Sequence, residues 1–160
     1  MPVLKSLLQK LLGATFLFAV TLTVSGQHAD SHADSKDASD IPAYNKTPPA
    51  KGVVMPPILK PDQLWGDNIG PSQIHAYELA GKIPAVLHQM PCYCHCDRMG
   101  HKSLRTCFEG MHGAECDVCI RELFYAYGEK QKGKTVAQIR KGIIEGHWKE
   151  VTEEQAQALR

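Results

Sequence analysis

The hydrophobic pattern of this chain changes character three times before it settles into helical spacing. Leu11 to Val24 is a charge-free, predominantly apolar run, preceded by Lys5 and Lys10 and closed by the small residues Ser25 and Gly26. This layout predicts a secretory signal peptide over residues 1–26, cleaved near Gly26. The run is shorter than the roughly 20 apolar residues a spanning helix needs, so no retained membrane anchor is expected. From Gln27 the apolar component disappears. QHADSHADSKDASD repeats HADS in tandem and cannot bury enough surface to order itself. Between Ile41 and Pro61 prolines crowd, with Pro48-Pro49 and Pro56-Pro57 as pairs, which excludes helix and favours extended chain. Residues 27–64 therefore read as a disordered, Pro-rich linker. The apolar residues Val53, Val54, Met55, Ile58 and Leu59 suggest that its second half lies along a domain surface.

Helical periodicity begins after Trp65. Pro71 suits a first helical turn, because its missing N–H needs no partner there, and Ile74, Tyr77 and Ala80 recur at the spacing of one buried face. Gly81 and Pro84 end or kink that helix, and a short turn through Ala85-Val86-Leu87 leads to Pro91. A second helix is predicted over Val118 to Lys130, with Ile120, Leu123, Phe124 and Tyr127 on one side and Gly133 as its stop. Thr135 and Gln138 form a capping box that opens a third, with Val136, Ile139 and Ile143 inward, although Gly142 and Gly146 weaken it. Trp148 is expected to cap the core. Thr152 and Gln155 repeat the capping pattern ahead of a short polar helix or tail over 151–160, which is expected to fray. No alternating strand pattern appears between 65 and 160. The fold class is all-α: a small helical domain over 65–150 with an irregular Cys-rich centre, stapled by metal or disulfides.

That centre changes the picture. All six cysteines fall between Met90 and Cys119 (Cys92, Cys94, Cys96, Cys107, Cys116 and Cys119), with His95, His101, His112, Met90, Met99 and Met111 among them. A domain this small usually needs a staple, and export would place the thiols where disulfides persist. Net charge gives no competing lead. The whole chain carries +1, and without its leader the balance is 16 bases against 17 acids. No basic surface or nucleic-acid motif remains, so nucleic acid is not an expected partner.

Cys92, Cys94 and Cys96 on extended chain would project to one face, which suits a multi-thiolate metal site better than three separate disulfides. Pro91 biases the preceding residue away from helix. Cys116-Asp117-Val118-Cys119 is a C-x-x-C at a helix start, where free N–H groups and the helix dipole favour thiolate. The candidate metal ligands are Cys92, Cys94, Cys96, Cys116 and Cys119, with Cys107, His101 and His112 as further candidates to complete the site. The glycines beside the two histidines allow tight backbone around a ligand. Thiolate ligands select Cu(I) or Zn(II), and thioethers at Met99 or Met111 would favour Cu(I). No zinc-ribbon spacing, haem-attachment motif, hydrolase triad or phosphate-cradling loop is present.

Pro-Cys-Tyr-Cys-His-Cys, Gly-His-Lys-Ser-Leu and His-Gly-Ala-Glu-Cys-Asp-Val-Cys resemble the PCYCGC, or CYCXC, family of exported bacterial proteins, over roughly Pro71 to Trp148. Some of its members carry selenocysteine in the cysteine motif. The resemblance implies that at least one of Cys92, Cys94 and Cys96 is reactive or metal-bound, and it names no reaction. This chain departs from the family name at His95, which stands where the name has glycine and adds a possible ligand. It also has Gln27 where many relatives carry a lipoprotein cysteine.

Three readings follow. The first is an exported Cys-rich metal-binding protein for sequestration, delivery or detoxification. The second is a thiol–disulfide redox protein using Cys94, Cys96, Cys116 and Cys119 with a small thiol or redox partner. No βαβ pattern surrounds the C-x-x-C, so a thioredoxin fold is not indicated. The third is a disulfide-stapled domain without chemistry.

Overall fold

The computed structural model describes residues 40–160; the expected signal peptide and the HADS repeat lie outside the described residues. Six helices follow in chain order: α1 (Pro71–Lys82), α2 (Pro84–Leu87), α3 (Leu104–Phe108), α4 (Asp117–Gln131), α5 (Val136–Glu145) and α6 (Glu153–Ala158). Among the described residues there is no strand, as an all-α chain requires. No helix among them is long and apolar enough to cross a membrane.

Local chemistry sets most helix ends. Pro71 opens α1, and the Gln73 side chain accepts a hydrogen bond from the Gly70 N–H at 3.1 Å. Pro84 stops α1 and starts the single turn of α2. In α5 the Thr135 hydroxyl accepts from the Gln138 N–H at 3.3 Å, while the Gln138 side chain accepts from the Thr135 N–H at 2.9 Å. Thr152 and Gln155 repeat this reciprocal pair ahead of α6. The end of the chain is tied down: Ala156 is buried, and the Tyr127 hydroxyl and the Gln131 amide both donate to the Arg160 carbonyl.

The longest helix, α4, is the axis of the domain. It packs against α1 on one side, and against α5 and the tight turn His147–Glu150 on the other. Its buried residues are Cys119, Ile120, Glu122, Leu123, Phe124, Ala126 and Tyr127. From α1 the buried face is Ala76, Tyr77, Leu79 and Ala80, whereas Ile74, expected inward, is 38% exposed. The buried stripe of α1 is therefore rotated away from Ile74 onto Ala76, Tyr77, Leu79 and Ala80. Leu87, Met90, Leu104 and Phe108 continue the core into the segment that carries the cysteines, and Ile139, Ile143 and Trp148 close its far side. Four cysteines (Cys92, Cys96, Cys107 and Cys119) are themselves buried core residues.

Residues 41–60 contain no helix and run against this core. The Leu59 N–H donates to the Phe108 carbonyl at 2.9 Å, and Ile58, Leu59 and Leu64 pack on the buried residues. Further back, the Asn45 side chain donates to the His88 carbonyl at 3.0 Å, and the Arg140 guanidinium lies 5.0 Å over the Tyr44 ring. The Ala43 N–H donates to the Asp97 carboxylate at 3.3 Å.

Candidate metal centre

Three short segments deliver the cysteines to one volume. The first, Cys92 to Cys96, is not the extended run that its alternation suggests. Tyr93 and Cys94 form a tight turn closed by the His95 N–H and the Cys92 carbonyl at 3.1 Å, and His95 adopts left-handed backbone with φ 57°. The correction has a simple physical reason. An extended chain advances about 3.3 Å per residue, so Cys92 and Cys94 would stand about 7 Å apart, too far for their sulfurs to meet on one ion. The turn brings the Cys92 and Cys94 sulfurs to 3.3 Å, while the Cys96 sulfur lies 3.3 Å from that of Cys107.

The second segment doubles back after the turn Cys96–Met99. The His101 N–H donates to the Cys96 carbonyl at 3.2 Å, and α3 then presents Cys107, whose sulfur lies 3.3 Å from both the Cys96 sulfur and His101 Nδ1. His112 follows in the short turn Met111–Gly113, its Nε2 3.5 Å from the Cys94 sulfur and its ring 4.9 Å, edge-on, from that of His101. The third segment is the start of α4. Cys116 is its N-cap residue and Cys119 lies in its first turn. The Cys119 sulfur stands 3.4 Å from that of Cys92 and 3.7 Å from that of Cys94.

Three overlapping groups of four donor atoms result, each with all members within 4.8 Å of one another: Cys92, Cys94, Cys107 and Cys119; Cys94, Cys96, Cys107 and His112; and Cys94, His112, Cys116 and Cys119. Zinc–sulfur bonds of 2.3 Å place the sulfurs of a tetrahedral site about 3.8 Å apart, so this spacing is that of donors around a common ion. None of the six cysteines is in a disulfide. The close sulfur–sulfur distances are 3.3–3.7 Å, against about 2.05 Å for a bond, and several sulfurs have more than one sulfur neighbour.

The structure thus brings together every cysteine and two of the three histidines of the stretch. Cys107 is fully buried and belongs to two of the groups, while half-buried Cys116 belongs to one. His95 is exposed and belongs to none, so it adds no ligand here. Of the methionines, Met99 is exposed, Met90 is a core residue and Met111 is half-buried against the core.

The protons on the cluster are unequally held. The Cys94 thiol is pulled down to about 4, first by the hydrogen bond from Cys92, and also by His112, against the opposing effect of burial. Cys107 is likewise held low, first by Cys119 and then by Cys92. Burial pushes Cys116 up. Ligation needs thiolates, and the centre already favours them at Cys94 and Cys107.

Two supporting residues escaped the sequence pattern. Glu122, one turn beyond Cys119, is fully buried and accepts from the Tyr93 N–H at 2.7 Å, so it clamps the cysteine turn onto α4. Burial pushes its carboxyl up to about 8, with the Cys92 thiol and the Tyr93 N–H pulling the other way. A signal existed, since a carboxylate three residues after Cys119 shares its face of the helix. Tyr77 is the other. Its hydroxyl donates to the Gly110 carbonyl at 2.6 Å and accepts from the Ala114 N–H at 3.1 Å, pinning both ends of the loop that holds His112. Nothing in its sequence neighbourhood marks that role.

Comparison with known proteins returns no match among curated proteins and none among solved structures. One family does match, over residues 15–157, a longer span than the motifs alone cover. Residues 91–96 read PCYCHC, so His95, whose backbone is left-handed, stands where the motif in the family's description has glycine. With most of its length matched, the chain belongs to the family described as proteins of unknown function with a PCYCGC motif.

Proposed function

We propose that this is an exported protein that binds a soft metal through a buried thiolate centre, Cu(I) in preference to Zn(II), and serves metal sequestration, delivery or detoxification. One observation carries the reading: the sulfurs of Cys92, Cys94, Cys107 and Cys119, drawn from three separate segments, lie within 4.8 Å of one another. Four sulfurs at ligand spacing, three of them buried, are the donor chemistry that selects Cu(I) and Zn. His101 and His112 at the margin add borderline nitrogen donors. Export rests on the leader pattern of residues 1–26.

The test is metal content together with a free-thiol count on protein purified anaerobically from the export compartment. Bound Cu or Zn that is lost in Cys94→Ser and Cys119→Ser supports the proposal. Metal-free protein with all six sulfurs in disulfides removes it.

A thiol redox role is the second reading, favoured by the lowered Cys94 thiol beside His112 and by Cys92 and Cys119 within resolving distance. It predicts metal-free protein with one thiol, Cys94, alkylated far faster than the rest.

A further inference from the structure

One ion cannot use this centre fully. A tetrahedral ion takes four donors, and eight converge here: six sulfurs, His112 Nε2 and His101 Nδ1. The three groups of four are not independent sites either, because any two share two donors. Cys94 and Cys107 join the first to the second, Cys94 and Cys119 join the first to the third, and Cys94 belongs to all three. Tetrahedra that share an edge describe adjacent ions held by common ligands.

We propose that the centre is polynuclear: two or more Cu(I) ions per chain share bridging thiolates, with Cys94 common to them. This rests on the reading of the site as a soft-metal centre. A thiolate sulfur has lone pairs enough to bind two ions, whereas an imidazole nitrogen has one. The shared donors are therefore placed where bridging is possible, at Cys94, Cys107 and Cys119. His112 falls in two groups and can serve only one ion. His101, 3.3 Å from the Cys107 sulfur, is positioned to serve the other. The two rings meet edge-on at 4.9 Å, with His112 beside the Cys94 sulfur and His101 beside that of Cys107.

Charge points the same way. Cys92, Cys96, Cys107 and Cys119 are almost completely buried, and a buried thiolate is costly unless a cation neutralises it. One Cu(I) balances a single thiolate. Among the described residues the one buried base, Arg105, is committed to Glu109 and the Pro56 carbonyl. Several ions in one cluster neutralise several thiolates at once, so the sulfurs and the ions stabilise each other's burial. Each thiol that becomes a ligand releases one proton, and no electron moves.

The experiment is an anaerobic titration of the full reduced chain with Cu(I), supplied as its acetonitrile complex, read by native mass spectrometry and X-ray absorption. At limiting copper the expected population is metal-free chain alongside chain carrying two or more ions, with little singly loaded species, and a metal–metal scattering path is expected. Saturation at one ion overturns the proposal while leaving the soft-metal reading in place. Independent loading, with a statistical spread of stoichiometries and no metal–metal path, also overturns it. Failure to bind any copper removes both readings.

Variants sharpen the result. Cys94→Ser is expected to abolish cooperative loading. If that variant does not fold, Cys96→Ser and Cys116→Ser remain informative, because each residue belongs to only one group. Each is expected to lower the saturating stoichiometry. A single ion held by Cys92, Cys94, Cys107 and Cys119 would keep its stoichiometry and affinity through both changes.

Discussion

Replacing Tyr77 by Phe removes one oxygen atom, and its consequences follow from where that atom sits. The ring is almost fully buried and packs edge-on against Phe108 at 5.0 Å, a contact phenylalanine retains. Burial pushes the hydroxyl above its ordinary range, so it stays protonated and donates to Gly110 while accepting from Ala114. A net contribution of about 1 kcal/mol per hydrogen bond gives about 2 kcal/mol for the pair. The Ala114 N–H keeps a second acceptor, the Met111 carbonyl at 2.9 Å, so only the Gly110 carbonyl is left orphaned. The expected loss is therefore about 2 kcal/mol in urea unfolding of the reduced, metal-free protein. Because Gly110 and Ala114 bracket His112, the same change should loosen that ligand and weaken Cu(I) affinity roughly 10-fold or more, as loss of outer support does at other metal sites. A competition assay with a chromophoric chelator reads this second effect. A Tyr77→Phe protein within about 0.5 kcal/mol of wild type would refute the argument, since no cancelling interaction is available. Normal metal affinity with reduced stability would confine the role of Tyr77 to the fold.

Three further changes test other parts of the structure. His95→Gly places glycine at φ 57°, where an L side chain costs about 1 kcal/mol or more, and His95→Ala keeps that cost. The glycine variant should exceed the alanine variant by about 1 kcal/mol in chemical denaturation; equal stabilities would contradict the left-handed assignment. Glu122→Gln keeps an acceptor for the Tyr93 N–H and removes a buried acid. The carboxyl is raised from 4.5 to about 8, so its penalty is absent below pH 4.5, grows as pH rises, and is complete above about 8. The metal-free variant should gain over wild type across that window, on the order of 5 kcal/mol near pH 8, and a gain independent of pH would refute the assignment. Gly142→Ala should destabilise by about 1 kcal/mol despite alanine's better helix propensity, because the new methyl would lie 1.8 Å from the Tyr125 hydroxyl oxygen. A rise in thermal midpoint would show that Tyr125 swings aside without cost.

What was legible in the sequence is what depends on near neighbours. Capping at Thr135 and Thr152 acts over three residues, Pro71 and Pro84 act on their own turns, and the apolar spacing of Leu123, Phe124 and Tyr127 marks its own helix. The cysteine cluster was legible as chemistry, because thiol ligands crowd one stretch whatever shape it takes. Its geometry was not. Whether Cys92, Cys94 and Cys96 share a face depends on a left-handed residue at His95, and side-chain alternation carries no information about that turn. Cys107 could read equally as core or ligand until α3 placed it against Cys96 and His101. Gly142 and Gly146 look alike in sequence, yet one makes room for Tyr125 and the other ends α5 at φ 86°. Local propensity marked the helices outside the cysteine stretch, but not α3 within it, and residue chemistry marked the candidate metal donors. Only long-range packing decided which donors meet, because that convergence needs chain reversals and buried contacts, such as Glu122 on Tyr93 and Tyr77 on Gly110, between residues about 30 positions apart.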